Sequence, residues 1–139
     1  MTGRILTFYL CGSLCGIDIN IAKEVKRNIT YTSVPGAKEH VVGLLNLRSQ
    51  VVTLLDLSQL LHFKQLGEPH NRYCVILKSR LGESDQVGFF IDKLGDVIDV
   101  TPDMCQPAPA NIIDTENYYI QEVVNLADEI LLLLNISRL

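Results

Sequence analysis

The chain has 139 residues and a net charge of −4, which suits about one domain and excludes a polycationic nucleic-acid binder. Leu, Ile, Val and Phe supply 50 of the 139 residues, too many for a disordered chain. Residues 1–70 sum to +2 and residues 71–139 to −6, an asymmetry that fits two faces with different partners but that solvated surfaces also produce.

The elements read as short strands between turns. Ile5–Cys11 is an apolar run that ends at a Gly-Ser-Leu-Cys-Gly turn, and Gly16–Ile19 continues as a second strand. The uncharged stretch Ile5–Ile17 is too short to span a membrane. Tyr9, Gly12, Ser13 and Gly16 break it as a signal peptide. We therefore expect a soluble cytoplasmic chain whose four cysteines are reduced. Asn20–Arg27, with Ile21 and Val25 four apart and Asn20 as N-cap, predicts two helical turns. Val34-Pro35-Gly36 is a turn. Val41–Leu47 and Val51–Leu57 form a hairpin around Arg48-Ser49-Gln50, and Ser58–Phe63 is a short helix. Residues 64–71, with Gly67 and Pro69, read as a linker. Beyond it, Tyr73–Lys78 and Val87–Ile91 are strands around a turn at Leu81–Asp85. Val97–Val100 is another strand, Pro102–Pro109 is irregular, and Tyr119–Leu126 with Ile130–Asn135 is a final hairpin.

The two hairpins repeat. Residues 41–60 laid on 120–139 match at Asn46/Asn125, Leu47/Leu126, Leu54/Leu133, Leu55/Leu134, Ser58/Ser137 and Leu60/Leu139. A looser echo links Gly16, Ile19 and Val25 with Gly88, Ile91 and Val97. The simplest arrangement is one domain over 1–139, made of two similar β units at about 4–62 and 72–139 and paired as a pseudo-dimer. Runs such as Leu131–Leu134 are apolar at every position, as in strands covered on both faces. The expected fold class is all-β, with a few short helices and two small antiparallel barrels sharing an apolar seam. One asymmetry stands out. Arg48 in the first hairpin turn corresponds to Ala127 in the second, and an arginine needs acceptors for its five donors.

Enzyme signatures are missing. There is no Gly-x-Ser-x-Gly elbow, no phosphate-binding glycine loop and no His-Glu-x-x-His. Cys11 and Cys15 have a spacing zinc tolerates, but a structural site needs a second ligand pair. The scattered Cys74, Cys105, His40, His62 and His70 do not supply one in sequence. A thiol- or metal-dependent protein using Cys11 and Cys15 is the alternative of a different class; small buried hydrophobes are the plainer reading. Asp92, Asp96, Asp99 and Asp103 lack the alternation of a calcium loop and read as a solvated face.

Gly43-Leu44-Leu45-Asn46-Leu47-Arg48, followed by Val51-Val52-Thr53-Leu54-Leu55-Asp56-Leu57, resembles the signature hairpin of the CheW family of bacterial chemotaxis coupling proteins. Gly16-Ile17-Asp18-Ile19 with Glu24-Val25, Val34-Pro35, Val87-Gly88-Phe89-Phe90-Ile91-Asp92 with Val97, and Pro107-x-Pro109 fall in the family's order over essentially the whole chain. The resemblance implies two five-stranded, SH3-like barrel subdomains and a scaffold, with neither catalysis nor cofactor. It implies two partners: the regulatory domain of a CheA-type histidine kinase and the cytoplasmic tip of a chemoreceptor. Recruitment to membrane receptor arrays would then run through partners, without nucleic acid and without membrane insertion. By the same resemblance Arg48, Glu24 and Gly43 match positions tied to receptor coupling, while Asn46, Leu47 and Asp56 belong to the hairpin motif. Ser49 stands where the family turn has glycine, and Glu122 replaces a glycine of the terminal hairpin. Such departures leave room for a paralogue serving a pilus-linked or other chemosensory pathway.

Overall fold

A computed structural model describes residues 3–61, 73–78, 86–107 and 119–136. The strands are β1 (Gly3–Leu10), β2 (Ser13–Asp18), β3 (Ala22–Arg27), β4 (Val41–Leu47), β5 (Gln50–Leu55), β6 (Tyr73–Leu77), β7 (Gln86–Ile91), β8 (Lys93–Val100), β9 (Cys105–Pro107), β10 (Ile120–Asn125) and β11 (Ile130–Leu134), with one helix, α1 (Leu57–Leu60). The all-β class holds. The linker at 64–71, the turn Leu81–Asp85, the end of the helix at Phe63, His62, His70, Pro109, Ser137 and Leu139 lie outside the described residues.

Three expectations are corrected. Residues 22–27 form a strand, not a helix. Residues four apart share a face in both periodicities, so Ile21 and Val25 could not discriminate. Asp18 accepts the Asn20 N–H at 2.9 Å and caps the start of a single 3-10 turn, Ile19–Ile21, after which the chain pairs with β6. Second, the sheets are not purely antiparallel. β5 runs parallel to β7, and β11 runs parallel to β2.

Third, neither sheet closes into a five-stranded barrel. One is six-stranded, in the order β8-β1-β2-β11-β10-β9, and the other five-stranded, in the order β3-β6-β7-β5-β4. The edges are blocked for physical reasons. In the five-stranded sheet, Thr32 bridges to Leu44 by two hydrogen bonds of 2.8 Å and so occupies edge groups of β4. In the six-stranded sheet, β9 is three residues long and ends in Pro107, which has no N–H to donate.

The two strand orders correspond once the halves are exchanged. β1 and β2 receive β8 and the β10–β11 hairpin, while β6 and β7 receive β3 and the β4–β5 hairpin. Neither sheet is built from one half alone.

The core explains the uninterrupted apolar runs. On β6, Cys74 and Ile76 enter the core of the five-stranded sheet, whereas Val75 and Leu77 enter a seam between the sheets. On β7, Phe90 goes to the first and Phe89 and Ile91 to the second. On β11, Leu131 and Leu133 fill the six-stranded sheet's core while Leu134 joins the seam. Alternation persists, but both destinations are dry. At the seam the rings of Phe8 and Phe89 lie 5.4 Å apart, one from each sheet.

Candidate functional site

The turn joining β4 and β5 is two residues long, since Leu47 pairs with Gln50. Arg48 and Ser49 both have positive φ, 51° and 68°, the signature of a type I′ hairpin turn, whose twist matches its strands. The equivalent turn between β10 and β11 has Leu126 N–H donating to Glu129, but Ala127 and Asp128 take no positive φ. The hairpins that look alike in sequence thus differ in backbone at the position of the arginine. Left-handed backbone costs a non-glycine residue about 1 kcal/mol, and Ser49 occupies it without a glycine's freedom. Ser49→Gly is expected to raise stability by roughly 0.5–1 kcal/mol, read as a higher midpoint in urea. A fall would mean that the Ser49 side chain makes a contact that matters.

The Arg48 guanidinium is directed at Glu24. Nη1 donates to Oε1 at 3.2 Å and Nη2 to Oε2 at 3.3 Å, a two-pronged pair. Glu24 lies on β3, at one edge of the sheet, and Arg48 lies in the turn that ends β4, the opposite edge. The sheet therefore curls until its edges are joined by a side-chain clasp in place of a ladder. Lys26 Nζ stands 3.9 Å from Glu24 Oε2, so two cations share one carboxylate. The Arg48 side chain is 67% exposed and Glu24's 21%. Exposed pairs contribute only about 0–1 kcal/mol to folding, so this clasp leaves an accessible guanidinium in a fixed orientation at little cost.

Gly43, on β4, is held by close approach. A Cβ there would lie 2.4 Å from the Thr32 carbonyl oxygen and 2.9 Å from Tyr31 Cδ2. Tyr31 packs edge-on against Phe90, with centroids 5.8 Å apart, and remains 42% exposed. The remaining motif residues are placed differently. Leu47 is buried in the core of the five-stranded sheet. Asn46 is exposed beside its cross-strand partner Val51. Asp56 caps α1: its Oδ1 accepts the Ser58 N–H at 3.1 Å and its own N–H donates to His40 O at 2.7 Å. The structure brings Glu24 and Arg48 together and sets Gly43 in the same sheet, while Leu47 and Asp56 have structural surroundings.

Sequence reasoning missed Tyr31, whose exposure beside Gly43 is set by the bridge at Thr32. It also missed Val51, 58% exposed at the start of β5, and its repeat counterpart Ile130, 52% exposed. The alignment of Val51 with Ile130 was the available signal.

The cysteines are dispersed. Cys15 and Cys74 are buried, and burial pushes each thiol up to about 12. Cys11 lies in the β1–β2 turn, its N–H donating to Asp92 Oδ2 at 2.7 Å. Among the described residues no group of three or more His, Cys, Asp or Glu could hold a metal ion. No helix among them is long and apolar enough to cross a membrane.

This all-β fold of two interleaved sheets is the fold of a CheW-like domain. The family model for that domain matches residues 4–139, and the chain belongs to this family. It is 30% identical over 140 residues to the chemotaxis protein CheW of Treponema pallidum (strain Nichols), covering 98% of this chain and 81% of that protein. It is 27% identical over 136 residues to the chemotaxis protein CheW of Klebsiella aerogenes, covering 98% and 80%. The fold is that of the scaffolding protein TtCheW from Thermoanaerobacter tengcongensis, with a TM-score of 0.84 at 23% identity over 98% of this chain and 90% of that one.

Proposed function

We propose that this chain is a non-enzymatic coupling adaptor of chemotaxis signalling, which links chemoreceptor cytoplasmic tips to the regulatory domain of a CheA-type histidine kinase. The observation that carries this reading is the family match over residues 4–139. The relatives' names, chemotaxis protein CheW, point the same way. In this reading the protein is cytoplasmic and reaches receptor arrays through its partners. Arg48 is its principal receptor contact, oriented by Glu24, and Gly43 holds the Tyr31–Thr32 segment against β4. Asn46, Leu47 and Asp56 shape the hairpin. The geometry suits the role: an adaptor needs reversible interfaces of about 800 Å² per partner, and a pre-oriented guanidinium loses little rotamer freedom on binding.

The first test is calorimetric titration with the regulatory domain of each CheA-type kinase encoded in the same genome, alongside capture by a cognate receptor tip. Micromolar binding to one kinase supports the reading and assigns the pathway, whether main or pilus-linked. Binding to neither partner overturns it. Arg48→Ala is expected to weaken receptor capture roughly tenfold or more while changing folding stability by no more than about 1 kcal/mol. A loss of several degrees in Tm would instead make Arg48 a structural residue.

A further inference from the structure

The six-stranded sheet carries a cleft of about 320 Å³ whose lining includes none of Arg48, Glu24 and Gly43. It lies between β1 and β8 on one side and the turn joining β10 to β11 on the other. Its apolar lining is Leu14, Leu94, Ile98 and Leu126, and Leu94 is 36% exposed at its mouth. Tyr9 ties the two sides together: its hydroxyl donates to Glu129 Oε1 at 3.3 Å. Asp96 and Glu129 put two carboxylates on this cleft against the single cation Lys93. Lys93 Nζ stands 5.7 Å from the centroid of the Tyr9 ring, so the ring already accepts one cation over its face.

We propose that this cleft docks a protein segment carrying an arginine between aliphatic residues. The stem of that arginine lies on Leu14, Leu94 and Ile98, and its guanidinium meets Asp96 and Glu129. Charge complementarity carries the choice of occupant. An anion would face two carboxylates, and a purely apolar side chain would desolvate them without partners. An arginine matches both parts of the surface, because its stem is apolar and its fork is built for carboxylates. The volume is near the lower end for ligand pockets and suits one or two side chains, not a whole domain. The Tyr9 hydroxyl is raised above its ordinary pKa by burial first, then by Glu129 and Asp96, in keeping with a negative local field.

The test is an amide NMR titration of the full chain with three blocked tripeptides: Val-Arg-Val, its neutral isostere Val-citrulline-Val, and Val-Glu-Val. The arginine peptide is expected to shift the amides of Leu94, Gly95, Asp96 and Glu129 with a saturating curve. The citrulline peptide should bind about tenfold more weakly, as should the arginine peptide to Glu129→Gln or Asp96→Asn. Arg48→Ala should leave the titration unchanged, which separates this site from the coupling site on the other sheet. No saturating shift by roughly 10 mM, equal binding of arginine and citrulline peptides, or loss of binding in Arg48→Ala overturns the proposal.

Discussion

Phe89→Ala is expected to cost about 3–5 kcal/mol, the largest loss of any single substitution considered. Phe89 is fully buried on β7, and its ring meets Phe8 of the other sheet. Truncation removes the apolar contacts of the ring and the aromatic pair, and leaves a cavity between two sheets that cannot collapse without pulling a strand out of its ladder. A domain of this size has a total stability of roughly 5–15 kcal/mol, so the variant keeps a small margin at best. The measurement is guanidinium denaturation beside Val51→Ala, an exposed control expected to change stability by no more than about 0.5 kcal/mol. Both proteins are expected to unfold in one transition, because each sheet takes strands from both halves. A loss below about 1 kcal/mol for Phe89→Ala would mean that the seam carries little of the fold's stability.

The second large effect is expected at Gly43. A valine there brings its Cβ against the Thr32 carbonyl, a backbone atom that moves only if its segment moves. The two hydrogen bonds between Thr32 and Leu44 then lengthen or break, and Tyr31 leaves Phe90. Overpacking of this kind costs about 1–3 kcal/mol. It should also lower receptor capture, since it disturbs the strand that leads into the Arg48 turn. Gly43→Ala meets the same Cβ clash and should show a smaller version of both effects. Unchanged stability with lost capture would make Gly43 a direct contact surface. Lost stability with unchanged capture would make it structural only.

The strands were readable because their apolar residues are dense and their turns carry glycine, proline or polar pairs. The continuous run at Leu131–Leu134 correctly implied cover on both faces. The Asn20–Arg27 segment was not readable, since Ile21 and Val25 satisfy a helix and a strand equally, and only pairing with β6 decides between them. The open sheet edges were not readable either. Closure depends on where Thr32 lands, and nothing local to Thr32 announces a bridge twelve residues away. At the site, Arg48 was legible from the broken repeat at Ala127. Its ion pair with Glu24 was not, because that contact exists only once the sheet has curled.

The exchange of strands between halves has a consequence for how the molecule is made. The inner strand β2 is completed by β11, with Leu132 pairing to Cys15, so a segment made early in this domain waits for one made much later. β1 likewise waits for β8, and β5 for β7. Contacts this distant in sequence slow folding, because loop closure must be met before they form. Until Leu134 is synthesised, β2 presents an unpaired apolar edge. The nascent chain thus passes through a stage open to mispairing with its neighbours, and its yield in cells should depend on chaperone capacity more than its final stability would suggest.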